Sequence, residues 1–253
     1  MLSKPKIKWI HSLELKKNRD EENLFIAEGI KIVADLLPFI QCRFLAVSSD
    51  AFDLKAYTQF TNEIEIISEE EYSKITLQKS PQGVLAVFEK PESLWSMDDI
   101  SNQLCLALDD VQDPGNMGTI IRLADWFGIE HVFCSLHSAD VYNPKTIQAT
   151  MGAIARVKVH YVDLPDFLKA VSGKVPVYGT FMDGENIYEK QLNNKAMIVM
   201  GNEGNGISAD IEALVSEKLL IPGFPQGGIT SESLNVGIAT AIAVAEFRRR
   251  INH

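Results

Sequence analysis

Apolar residues in this chain come in short, nearly unbroken runs separated by polar or glycine-bearing stretches, the pattern of buried strands interleaved with helices. Over the first third, "FLAVSS" (44–49), "EIEIIS" (63–68) and "GVLAVF" (83–88) read as strands, and "EGIKIVADLLP" reads as a short helix stopped by Pro38. These elements predict a small α/β domain over 1–90. The polar, acidic stretch 91–103, which opens with Pro91, reads as a linker. Beyond it come the runs "LCLALDDV" (104–111), "HVFCSL" (131–136), "ARVKVHYV" (155–162), "VPVYGTFM" (175–182), "AMIVM" (196–200) and "KLLIPGF" (218–224). Helical segments fall among them at 117–127, 145–151, 165–171, 209–216 and 233–251. This alternation over 104–253 predicts an α/β domain with a mostly parallel sheet covered on both faces, its ligands held in loops beyond the carboxyl ends of the strands.

Composition narrows the class. With 253 residues, 46% of them hydrophobic, the chain can bury a sizeable core. The apolar stretch near the C-terminus, 236–245, is broken by Thr240 and falls far short of the roughly 20 residues that span a bilayer, so no membrane role is expected. The N-terminus has no apolar core of the signal-peptide kind. Cys42, Cys105 and Cys134 are unclustered and read as reduced structural thiols, and the expectation is a cytoplasmic protein. The histidines show no ligand spacing; His131 and Cys134 merely flank a strand-like pair, so no metal is expected.

The net charge of −10 argues against general polyanion binding but leaves room for a local patch. Lys4, Lys6, Lys8, Lys16, Lys17 and Arg19 outweigh Glu14 at the start of the chain, and Arg248 to Arg250 add a second basic group. They make either a solvated charged surface or one that contacts phosphates.

Three loops hold polar residues that a core does not need. In the first, 109–129, Met117, Ile120, Ile121, Ala124 and Phe127 share a stripe from whose centre Arg122 projects by roughly 160°. Arg122 is therefore either a surface arginine or one that faces a ligand phosphate from a rigid helix. Asn116 stands where a helix N-cap belongs. The second, "GNEGNGIS" (201–208), follows a buried run, and its glycines allow backbone to approach a ligand closely. Glycines at 201, 204 and 206 fit neither of the common phosphate-binding spacings, which points to a ligand other than a nucleotide phosphate. Glu203 is a solvated loop acid or a carboxylate held in place by the turn. In the third, 221–250, Pro222 and the glycines keep 222–228 non-helical, and Ser231 or Ser233 can cap the helix that follows. The small residues Gly237, Ala239, Ala241, Ala243 and Ala245 suit a buried helix or a subunit interface equally.

In order, Asn116-x-Gly118-x-x-x-Arg122, then Gly-Asn-Glu-Gly-x-Gly after a strand, then Ile-Pro with Glu-Ser-Leu-Asn-Val before an alanine-rich helix, resemble the three motifs of the SpoU (TrmH-type) RNA 2′-O-ribose methyltransferases of the SPOUT superfamily. The resemblance spans about 104–250, while "FIAEGIKIVADLL" and "PQGVLAVF" resemble the ends of the small RNA-recognition domain that often precedes it. It implies a C-terminal deep trefoil knot over 196–240 and S-adenosylmethionine as cofactor, contacted by Met200, Gly201, Asn202, Gly204, Gly206, Ile221 and Leu234. It implies methyl transfer to a ribose 2′-hydroxyl of RNA, ribosomal RNA favoured over transfer RNA, by a homodimer joined through its C-terminal helix. Asn116, Arg122, Glu203, Ser233 and Asn235 are then the catalytic set. Arg122 clamps the neighbouring phosphate and stabilises the developing alkoxide, and the others orient it, the ribose or the cofactor. Gly237 replaces a serine common in the family, a change expected to alter helix packing more than chemistry.

Two other readings remain. An RNA-binding protein of the same fold without turnover is the first, and the intact Asn116, Arg122, Glu203 and Asn235 weigh against it. The second, a dinucleotide-dependent oxidoreductase, lacks G-x-G-x-x-G and has Asp113-Pro114-Gly115 in its first loop.

Overall fold

The computed structural model describes residues 2–61, 63–224 and 233–249. Ser231, the 225–232 part of the expected knot, Arg250 of the second basic group and the 250–251 end of the long helix lie outside the described residues. Close Cα neighbours divide the chain into two units, Met1–Glu92 with Asp140–Ala155, and Ser93–Ala139 with Arg156–His253.

The first unit runs α1 (Lys4–Ser12), α2 (Lys16–Glu22), β1 (Leu24–Glu28), α3 (Ile30–Leu36), β2 (Cys42–Val47), α4 (Leu54–Tyr57), β3 (Ile64–Ile66), α5 (Glu69–Tyr72) and β4 (Val84–Glu89). Its sheet has the order β1-β4-β2-β3; the first two pairings are antiparallel and β2–β3 is parallel. Ile26, Phe44, Leu85 and Val87 centre one face of the core. The hydrophobic pattern missed α1, α2 and β1. Most of α1 and α2 is charged, and each buries few side chains, Ile10 in one and Arg19 in the other. β1 is buried along its whole length, an edge strand covered by helices rather than one with a wet face.

The domain boundaries expected from sequence need two corrections. Asp140–Ala155, placed with the second domain, belongs to the first unit: its helix α8 (Pro144–Thr150) packs on β1, and the Tyr142 ring lies 5.0 Å from that of Phe25. The stretch read as a linker is structured. Ser96 and Asp99 form a reciprocal capping box on α6 (Met97–Ser101), Ile100 is buried, and the Trp95 ring meets Phe133 and Phe167 edge-on at 5.5 and 5.3 Å.

In the second unit α6 is followed by β5 (Leu104–Leu108), α7 (Pro114–Trp126), β6 (His131–Ser135), β7 (Lys158–Val162), α9 (Leu164–Val171), β8 (Val177–Asn186), β9 (Ala196–Met200), α10 (Ala209–Glu212), β10 (Glu217–Leu220) and α11 (Val236–Arg249). The sheet is parallel throughout, in the order β10-β8-β9-β5-β6-β7. Central strands of such a sheet are buried on both faces, which is why "LCLAL" and "AMIVM" are unbroken apolar runs.

Candidate active site

Strand order sets the location. β5 sends its chain to β6 on one side and takes the late strand β9 on the other, so the order turns at β5 and leaves a crevice at the strands' carboxyl ends. Leu108 pairs with Met200 at the ends of β5 and β9, and Asp109 N donates to Met200 O at 2.9 Å. The loops starting at Asp109 and Gly201 therefore leave the sheet side by side.

The glycine loop closes on itself. Asn202 and Gly206 exchange both backbone hydrogen bonds at 2.9 Å. A Cβ on Gly201 would stand 2.2 Å from the Gly206 carbonyl carbon, and Gly206 has φ +69°. These two glycines thus serve the turn itself. The Asn202 side chain is spent on the loop as well: its Nδ2 donates to Asp110 O at 2.7 Å, and its Oδ1 accepts from Gly204 N and Asn205 N at 2.9 and 3.0 Å. Asp110 holds a left-handed conformation, φ 56°, and its carboxylate accepts from the Ser135 hydroxyl at 2.7 Å. At the far end the Asp109 carboxylate accepts from Ser208 N at 2.7 Å.

Beside the loop is a cavity of about 380 Å³, within the usual range of small-molecule sites. Met200, Gly201, Asn202, Gly204, Gly206, Ile221 and Leu234 all line it, together with Glu203 and Ser233. Asn205, Val236 and Ala239 line it too, and a second group, Thr180, Phe181 and Met182 of β8 with Leu219 and Leu220 of β10, forms the strand wall. Sequence reasoning missed that second group, because a strand run does not reveal which strand will be its neighbour. The N–H groups of Asn202, Gly204, Asn205 and Gly206 are all engaged inside the loop. A bound phosphate would need such donors free. The apolar wall of Phe181, Met182, Met200, Leu219, Leu220 and Leu234 suits a ligand with a flat or thioether-bearing part.

Three of the expected catalytic side chains are linked by hydrogen bonds; Glu203 lines the cavity, and Asn116 and Asn235 stand behind it without lining it. Asp113 caps α7 by accepting from Asn116 N at 2.7 Å, so the N-cap is Asp113 and not Asn116. With Asn116 inside the first turn its side chain is free to reach across, and Nδ2 donates to Glu203 Oε1 at 2.9 Å. Asn235 Nδ2 in turn donates to Asn116 Oδ1 at 2.9 Å. Asn235 Oδ1 accepts from Gly237 N and Ile238 N at 3.0 and 3.3 Å, which makes Asn235, rather than Ser233, the residue that caps α11. Arg122 stands apart from this chain. It is exposed on α7, is not a cavity-lining residue, and has no hydrogen bond or ion pair among the described residues.

The basic groups divide. Arg19 is not an RNA contact: it is 1% exposed, donates from Nη1 to the carbonyls of Leu13 and Glu14 at 2.8 and 2.6 Å, and pairs through Nη2 with Asp140 at 2.6 Å. Lys6 is half-buried, paired with Glu63 and set over the rings of Trp9 and Phe44. Lys4, Lys8, Lys16 and Lys17 remain exposed. Arg248 is partly buried and donates to the carbonyls of Phe127 and Gly128 beyond the end of α7 at 2.8 and 2.9 Å. Burial lowers the pKa of His131 and pushes that of His160 down to about 4, so these stacked rings, bonded at 2.9 Å, are neutral at pH 7. Among the described residues there is no group of three potential metal ligands, and no helix is long and apolar enough to cross a membrane.

Fold and site together define a parallel α/β protein with a small-molecule-sized cavity beside a glycine loop whose own N–H groups are spent. Comparison with known proteins makes this specific. Residues 103–245 match the model of the SpoU rRNA Methylase family, and residues 4–86 match the MRM3-like substrate binding domain. The chain is 31% identical, over 96% of each protein, to the 23S rRNA (guanosine(2553)-2′-O)-methyltransferase RlmP of Bacillus subtilis. Its fold is similar to that of a TrmH-family structure from Porphyromonas gingivalis, with 41% identity, 99% of each chain covered and a TM-score of 0.84. It is also similar to an AdoMet-bound rRNA methyltransferase from Sinorhizobium meliloti, with 30% identity, 100% and 97% of the two chains covered and a TM-score of 0.85. The chain belongs to the SpoU rRNA methylase family, and is thus an enzyme that methylates RNA.

Proposed function

We propose that this protein transfers the methyl group of S-adenosylmethionine to a ribose 2′-hydroxyl of ribosomal RNA. The observation that carries the reading is the cavity between the glycine loop and the β8 and β10 strand ends, with Asn116, Glu203 and Asn235 linked by hydrogen bonds at its edge. Met200, Gly201, Gly204, Gly206, Ile221 and Leu234 hold the cofactor, and Asn202 holds the loop in shape. When bound, the cofactor supplies an electrophilic methyl group on a sulfonium.

The protein's part is to bring a weak nucleophile to that methyl group in line. Such positioning lowers a barrier by about 7–11 kcal/mol. Arg122, a rigid fork of donors on an ordered helix, clamps the phosphate beside the target ribose and stabilises negative charge developing on its oxygen. Ser233 and the asparagines orient the ribose. The N-terminal unit contributes RNA contacts through the exposed Lys4, Lys8, Lys16 and Lys17, whose charge acts at phosphate rather than at base edges. In this reading the chain threads as a trefoil knot over 196–240 and works in the cytoplasm as a homodimer built on the α11 region, where Ile238 is an exposed apolar residue.

Label transfer tests the activity. Tritiated S-adenosylmethionine is offered to deproteinised ribosomal RNA and, separately, to transfer RNA from cells lacking the protein, followed by nuclease digestion. Label in a 2′-O-methylated nucleotide of the ribosomal pool is the expected result; label confined to transfer RNA, or to a base, contradicts it.

A further inference from the structure

The first unit has a cavity of its own, of about 340 Å³, which shares no lining residue with the one at the glycine loop. Ile26 and Glu28 come from β1, Leu77 and Gln78 from the chain ahead of β4, and Pro144, Lys145, Gln148 and Ala149 from α8, which packs on β1. Two amides in it have a sense that the backbone fixes. The Gln78 atom facing the Glu28 main-chain oxygen at 3.4 Å must donate, because a carbonyl only accepts, so it is Nε2. The same nitrogen donates to Gln148 Oε1 at 2.7 Å. Among the described residues, neither Gln78 Oε1 nor Gln148 Nε2 has a hydrogen-bond partner.

The pair therefore brings one unspent acceptor and one unspent donor to a cavity whose other walls, Ile26, Leu77, Pro144 and Ala149, are apolar. Glu28 does not compete for a ligand, since its oxygens are taken by Leu77 N and by the Thr76 and Tyr72 hydroxyls. A phosphate does not suit the interior: beside a carboxylate and an amide oxygen it would meet a single cation, Lys145, which is exposed. A flat heteroaromatic ring does suit it. The Watson–Crick edge of every nucleobase sets an N–H donor beside a lone-pair acceptor, which matches an amide oxygen and an amide nitrogen. That edge is free only in an unpaired base. Ile26, Glu28, Leu77 and Gln78 also lie within the matched substrate binding domain.

We infer that this cavity receives one unpaired nucleobase of the substrate RNA, read by Gln78 Oε1 and Gln148 Nε2, with Lys145 at its rim facing the phosphate of the same nucleotide. This rests on the RNA-methylation reading above and adds to it a place where the first unit reads a base rather than phosphate alone. The closed hydrogen bonds of Glu28 hold the Leu77 end of the cavity, and the Gln78–Gln148 bond ties that end to α8.

The test compares the full-length wild type with Gln148→Glu, Ala149→Phe and Lys145→Ala on deproteinised ribosomal RNA, with RNA Kd read over a range of salt and cofactor Kd by calorimetry. A glutamate at 148 still accepts from Gln78 but has no donor for a base, and a phenylalanine at 149 fills the cavity. Each of these two should weaken RNA binding about tenfold or more, with cofactor Kd within about threefold of the wild type. Ala149→Phe should leave the slope of log Kd against log salt unchanged, whereas Lys145→Ala should lower it by about 1. Reagents that modify Watson–Crick edges should find a base that the wild type protects and both cavity variants leave open. RNA affinity within threefold of the wild type in Gln148→Glu and Ala149→Phe, or a loss that appears as weakened cofactor binding, overturns the base pocket alone. A loss confined to Lys145→Ala does the same and leaves a phosphate-contacting surface. A wild type that methylates no ribose overturns the reading of the reaction and the pocket with it.

Discussion

Polar side chains are spent differently in the two units. In the first, Glu28 is 5% exposed, and both of its oxygens are occupied, by Leu77 N at 2.8 Å and by the hydroxyls of Thr76 and Tyr72 at 2.6 and 3.3 Å. Burial raises the pKa of Glu28 and these three donors oppose the rise. Arg19 commits both terminal nitrogens, leaving only Nε without a partner among the described residues. In the second unit the Asn235–Asn116–Glu203 chain ends at a cavity on a carboxylate whose second oxygen has no partner among the described residues, and Arg122, on a helix surface, has none among them either. A closed set of hydrogen bonds is scaffolding, because every donor already has its acceptor. An open one is where a substrate finds its partners.

That contrast can be broken at several points. The largest effect is expected from Arg19→Ala, which strands Asp140 and two carbonyls; denaturant unfolding should show a loss of about 3–5 kcal/mol, the cost of orphaning a buried ion-pair partner. RNA affinity per folded molecule should be unchanged, and a selective loss of RNA binding would return Arg19 to the recognition surface. Next comes Arg122→Ala, which should leave stability and cofactor affinity intact while cutting methyl transfer about 10²–10³-fold. A comparable loss of cofactor binding would contradict a role toward RNA.

Asn202→Ala tests a scaffold residue inside the site. It removes the acceptor of two loop N–H groups and the donor to Asp110, so calorimetry should show cofactor binding weaker by about 1–3 kcal/mol, with kcat at saturating cofactor changed far less. Undiminished affinity would mean that the loop keeps its shape without the clasp.

A gentler probe is pH. His131 and His160 have folded pKa values below the unfolded value of 6.5, so between about 6.5 and 4 the unfolded chain binds more protons. Their contribution to stability is complete above the unfolded value and is lost as pH falls through that window. His160→Phe should flatten the fall in unfolding free energy over the same range, and a parallel curve would place the acid sensitivity elsewhere. The smallest effect belongs to Gly237→Ser. Its Cβ would stand 3.2 Å from both Asn235 Oδ1 and Thr119 Cγ2, so a shift of a few tenths of an ångström suffices. The expected change in stability is within about 1 kcal/mol, and a greater loss in kcat would show that the shift reaches the Asn235 cap.

The sequence was most legible where chemistry and backbone need coincide. The parallel strands showed as apolar runs because a sheet covered on both faces tolerates little else. The glycine loop was visible because only glycine fits at 201 and 206. Capping was misassigned twice by a few residues: Asp, Asn and Ser are all competent caps, and only geometry tells which one accepts. The basic N-terminal cluster misled in part, since charge alone does not distinguish Arg19, folded inward on its own carbonyls, from Lys8, which faces water.

By itself, then, the sequence determined the alternation of strand and helix, the family, and the glycine-loop residues that line the cavity, because each is a matter of local pattern and residue type. Tertiary structure alone decided that residues 140–155 belong with the first unit, that β8 and β10 wall the cavity, and that Asn116, Glu203 and Asn235 form one directed chain. Those outcomes depend on which strands become neighbours and which end of a helix faces which loop. Residues far apart in the chain settle such questions only when they are brought within hydrogen-bond reach.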